Sequence, residues 1–154
     1  MDRLGIGYDT LSAQNPGLIY ASVSGFGQHG PHASRPAFDS LLQAAGGLIS
    51  VTGPAAATES DGEAAGGGGP PVRVGVSIVD ICSGLHALIA VLAALHHRTL
   101  TGRGQRVDTS MLAVTANLME SPISRYVYTH RKTWFVTPFN SKNDLLTKTG
   151  SGQT

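Results

Sequence analysis

At 154 residues, with ordinary apolar content and a formal net charge of +1, the chain is long enough for one domain with a real core. Its charge gives no case for nucleic acid or another polyanionic macromolecule as partner. A single cysteine excludes an internal disulfide and, as no stretch reads as a signal peptide, sets the expectation of a reducing, cytoplasmic setting. No apolar run reads as long and uniform enough to span a membrane, since Leu85–Leu95 is too short and is interrupted by His86.

In chain order, a short helix is expected from about Asp9 to Gln14. Asn15-Pro16-Gly17 then turns the chain, and the β-rich run Leu18–Ser24 reads as a strand. Gly25-Phe-Gly-Gln-His-Gly30 spells the dinucleotide pattern G-x-G-x-x-G. That pattern binds a pyrophosphate only if its glycines open a helix, and Pro31 and Pro36 bracket a segment that reads as loop. It is better read as a glycine turn bringing backbone close to a substrate or to a neighbouring helix. Ala37–Gly47 is expected to be helical, with Phe38, Leu41, Leu42 and Ala45 on one face. Leu48–Thr52 either continues that helix or extends, and residues 54–69, rich in alanine and glycine, read as a flexible surface loop.

The chain can be arranged around Pro70–Arg106. Val72–Val76 reads as a strand, followed at once by a long helix with Ile78, Ile81, Leu85, Leu88, Leu92 and Leu95 on one face. Ser77 is the expected N-cap, and Asp80, three residues on, has the spacing of a capping-box acid. His96, His97 and Arg98 occupy the last turn, where positive charge suits the dipole, and Gly102 lies beyond it. Arg106–Thr109 is then a strand and Met111–Met119 a helix. The resulting fold class is α/β: a partial Rossmann-like parallel sheet with helical crossovers. Sites in such sheets form outside the carboxyl ends of strands, where Asp80 is expected to lie. Its residue type and position leave two readings open, a cap or a reactive carboxylate. Cys82 reads as a small core residue, and adjacent His96 and His97 point apart without a supporting acid or thiol, so no metal site is expected.

Residues 1–125 hold seven arginines and no lysine against nine acids, a net of −2, whereas residues 126–154 carry a net of +3 and no alanine. This break divides the chain into a partial α/β domain, 1–125, and a tail of divergent composition, 126–154.

The run Pro70-Pro-Val-Arg-Val-Gly-Val-Ser-Ile-Val-Asp80, Ser83-Gly84, Leu92-Ala-Ala-Leu95 and Thr101-Gly-Arg-Gly-Gln-Arg-Val-Asp108 resembles the CaiB/BaiF, or class III, family of CoA-transferases. The resemblance covers about residues 1–125 and implies that Asp80 is the covalent nucleophile, forming a mixed anhydride with an acyl group. It also implies a CoA contact for Arg3, in Asp-Arg-Leu-Gly, with Arg35 and Arg73 as weaker candidates. Backbone amides near Gly25 and Gly27 would stabilise the thioester oxyanion. Racemases of the family carry a histidine where this chain has Phe38, and a phenyl ring exchanges no proton, so the resemblance leans towards acyl transfer. His29, His32 and His86 read as loop or helix-face residues. The substrates implied are an acyl-CoA thioester and a carboxylic acid acceptor, with no tightly bound cofactor and a homodimer for the intact chain. Family members are several hundred residues long, so this sequence reads as an internal piece expected to turn over little alone. A non-catalytic α/β piece, a racemase and a dinucleotide-dependent oxidoreductase remain the alternatives.

Overall fold

The two flanking strands form as β1 (Tyr20–Ser24) and β2 (Arg106–Ser110) and pair in parallel, with Tyr20 opposite Arg106 and Ser24 opposite Ser110. The computed structural model describes residues 1–53 and 70–129, and the expectations for 54–69 and for most of the tail lie outside them. Parallel neighbours far apart in sequence need a long crossover. It holds α2 (Asp39–Ala45) and α3 (Ile78–Thr101), after α1 (Tyr8–Gln14) has led into β1. The chain then continues through α4 (Met111–Leu118) and α5 (Glu120–Thr129), which runs across residue 125 as one helix. The return from α3 to β2 requires glycine at 104, because a Cβ there would collide with the backbone of Leu18. Gly102, in the left-handed region at φ 73°, ends α3 as expected.

Val72–Val76 is not a strand. Its alternating valines suit a ladder, but the N–H of Val74 donates to the side chain of Gln43 and that of Val72 to the carbonyl of Thr52. The segment is a lead-in held by side-chain and loop bonds, and among the described residues the sheet has two strands. Leu48–Val51 forms a 3-10 turn.

The face of α3 turned inward also differs from expectation. Val79, Ser83 and Ala94 are buried, whereas Ile81, Leu85, Leu88 and Leu92 are each more than half exposed. Val79 packs into the core with Leu42 and Met111, so this side of the helix, and not the one carrying the leucines, is turned inward. The helix is apolar nearly all round, with Asp80 and Arg98 its only charged residues. Contrary to the expectation drawn from Leu85–Leu95, its 24 residues make it long and apolar enough to cross a membrane by length and composition. The difference arises because the helix continues well past that segment at both ends. A core helix of a soluble protein passes the same test.

A small core of Leu42, Val79 and Met111, ringed by Phe26, Ala37, Leu41, Leu48, Ile78 and Leu112, sits beneath the first turn of α3. Burying such a side chain contributes about 1.5–3 kcal/mol relative to leaving it exposed.

Candidate active site

Ser77 stands at the N-cap of α3, but its side chain makes no capping bond. The cap comes from elsewhere. Oδ2 of Asp39, the first residue of α2, accepts from the N–H of Val79 at 2.8 Å and from that of Asp80 at 3.2 Å. Gln43, one helical turn on, donates from Nε2 to Asp39 Oδ1 at 2.5 Å, and its Oε1 accepts from the N–H of Val74 at 2.9 Å. Asp39 is 6% exposed and Gln43 fully buried. Buried polar groups persist where they are hydrogen-bonded, and a carboxylate receiving three N–H donors is well satisfied.

The consequence falls on Asp80. With the first-turn amides served by Asp39, no hydrogen bond from the described residues reaches the Asp80 carboxylate, which is exposed at the positive end of a long helix. The expected capping box does not form, because a buried acid from α2 fills its place.

The glycine turn closes over the same end of the sheet. The carbonyl of Gly25 accepts from the N–H of Leu112 at 2.9 Å, and a Cβ on Gly25 would collide with that of Ala37, two residues before Asp39. Gly27 has φ 88°, a left-handed conformation that disfavours any side chain, and the next N–H, of Gln28, donates to Asp108 Oδ2 at 3.2 Å. Gly25, Phe38 and Asp80 are thus linked through Ala37–Asp39 at the carboxyl end of β1. Phe38 is 61% exposed at the N-cap of α2, so it is not the core residue its helical spacing suggests. No helix begins at Gly27–Gly30, where residues 27–36 form bends and turns, and the dinucleotide reading loses its geometric requirement.

Arg3 lies apart from these residues. It is exposed in a 3-10 turn, Asp2–Leu4, and the nearby carbonyl of Ile6 accepts from Tyr20 Oη at 3.2 Å. That ties its segment to the amino end of β1, and the five residues of the strand, at about 3.3 Å each, separate the ends by roughly 15 Å.

His86 faces a cleft of about 370 Å³ between α3, β2 and α4. Its Nδ1 donates to the Cys82 carbonyl at 2.7 Å, and its Nε2 accepts from Asn117 Nδ2 at 3.1 Å. Both ring nitrogens are engaged, in keeping with a helix-face histidine.

Beside this geometry stand the comparisons with known proteins. The sequence pattern described as CoA-transferase family III matches residues 1–136. The chain belongs to CoA-transferase family III. An acetyl-CoA:oxalate CoA-transferase of Acetobacter aceti is 42% identical over 121 residues, covering 78% of this chain and 28% of that protein. A succinyl-CoA:mesaconate CoA-transferase of Haloarcula hispanica is 37% identical over 130 residues, covering 82% and 30%. The crystal structure of a CaiB/BaiF family protein from Brucella suis superposes with a TM-score of 0.72 at 34% identity, over 86% of this chain and 32% of that one. The α/β fold is therefore that of the family, of which the chain spans about a third or less of these members' length.

Proposed function

We infer that the chain is the nucleophile-bearing part of an acyl-CoA:carboxylic acid CoA-transferase and that Asp80 is its catalytic residue. A carboxylate oxygen of Asp80 attacks the thioester carbonyl carbon, the C–S bond breaks, and the electron pair leaves on the CoA thiolate. The enzyme then holds a mixed anhydride. The thiolate attacks the Asp80 acyl carbon of this anhydride, and the donor acid leaves as its carboxylate. The acceptor carboxylate attacks the resulting aspartyl thioester, displacing the thiolate and forming a second anhydride. The thiolate then attacks the acceptor acyl carbon to give the new thioester and restore the Asp80 carboxylate. The observation that supports this most is the exposed Asp80 carboxylate, left free of capping duty by Asp39. The same observation weighs against Asp80 as a mere helix cap.

The Gly25–Gly27 turn is the assigned oxyanion-binding segment, supported by its close packing against Ala37. Arg3 is assigned to the phosphates of CoA, at the far end of an extended cofactor arm from the thioester. Phe38 offers no exchangeable proton, which favours transfer over racemisation. Residues 1–125 are assigned to the transferase domain. The more than half exposed Ile81, Leu85, Leu88 and Leu92 support the covering of this face of α3 by further protein, which is assigned to the intact enzyme as a cytoplasmic homodimer. Mixing the chain with an acyl-CoA and quenching in denaturant should expose about one equivalent of CoA thiol per chain, absent from Asp80→Asn. An equal amount of thiol in that variant contradicts the reading.

A further inference from the structure

We propose that Asp39, oriented by Gln43, is a positioning residue that sets the backbone of the nucleophile's turn; the proposal rests on Asp80 being that nucleophile. Asp39 does not face the reacting atoms. It is buried, and its two oxygens divide their work: Oδ2 takes the N–H groups of Val79 and Asp80, and Oδ1 takes Gln43 Nε2. Gln43 cannot turn its amide over without cost. Its Oε1 accepts from the N–H of Val74, and its Nε2 also approaches the carbonyl of Val76 at 3.5 Å. Two buried side chains one turn apart on α2 therefore fix the whole lead-in from Val74 to Asp80, although that segment belongs to no sheet. The donor and acceptor polarity of this network is set at every bond.

That polarity makes the role testable apart from simple packing. In Asp39→Asn the shape is kept and one oxygen still faces α3, but the new amide nitrogen meets Gln43 Nε2, donor against donor. Adding Gln43→Glu supplies an acceptor there and still accepts from the Val74 N–H. The experiment compares wild type, Asp39→Asn and the double variant by site-resolved amide hydrogen exchange and by the rate of Asp80 acylation from an acyl-CoA. Expected for Asp39→Asn are about tenfold faster exchange at Val79 and Asp80, unchanged exchange at Leu88–Leu92, and at least tenfold slower acylation at unchanged KM. The double variant should recover most of both losses. Unchanged exchange in Asp39→Asn, a loss of protection spread evenly along α3, or no recovery in the double variant overturns the proposal. So does altered exchange with an unaltered acylation rate. If the wild type itself is never acylated, Asp80 as nucleophile fails and the proposal fails with it, while the exchange data still report whether Asp39 holds the turn.

Discussion

The carboxylate of Asp39 lies 3.2 Å from the backbone N–H of Asp80, across 41 residues of chain. One acid, at the head of α2, is buried and occupied, and another, in the first turn of α3, stands exposed. Single substitutions should separate the two roles.

Asp80→Asn should leave stability within about 0.5 kcal/mol of wild type, because the exposed carboxylate has no partner among the described residues. Urea denaturation measures this. Ser77→Ala should be equally mild, in place of the roughly 1 kcal/mol usual for a working cap, since no side-chain bond is lost.

Leu42→Ala should cost about 2–5 kcal/mol, since Leu42 is fully buried in the cluster beneath the first turn of α3. Thermal melting followed by circular dichroism checks it, and a loss below about 1 kcal/mol would show that the cluster is not packed as described.

Ser83 Oγ is buried on the inward side of α3 with no hydrogen-bond partner among the described residues. Ser83→Ala should therefore be neutral or stabilising by up to about 1 kcal/mol, where a bonded buried hydroxyl would be missed. The same denaturation series reads it.

Arg3→Ala should weaken CoA binding about five- to tenfold, the loss of one charge-assisted contact to phosphate, without altering the site of acylation. Calorimetry with CoA and with dephospho-CoA gives the comparison. Equal affinity of wild type and variant for both would remove Arg3 from the binding surface.

Much of the fold is legible in the sequence because its signals are local. The β-rich run before Gly25, the Gly102 stop and the 3.6-residue rhythm of α3 and α4 each depend on near neighbours, and these elements form where expected. The site was legible only in part. Asp80 could be singled out by its place in a motif, but the Asp39–Asp80 bond joins residues with no shared periodicity. The one local trace was Asp39 and Gln43 at i and i+4, a polar stripe on a short helix whose apolar pattern drew attention to Phe38 and Ala45 instead. Both of those prove exposed. Val72–Val76 misled for a related reason: its alternation fits a strand, yet Gln43 takes the N–H of Val74 that a strand partner would have used. Side-chain substitution for backbone pairing leaves no pattern in a single sequence. The inward face of α3 was hidden by composition, since a helix apolar on all sides does not declare which side is covered.

The nucleophilic role of Asp80 is tested most directly by trapping. The chain is incubated with an acyl-CoA, quenched with hydroxylamine and mapped by peptide mass. A hydroxamate on Asp80, absent from Asp80→Asn and unchanged in position in Arg3→Ala, is the predicted result. Modification of Asp39, Asp108 or any other acid with Asp80 untouched would contradict it.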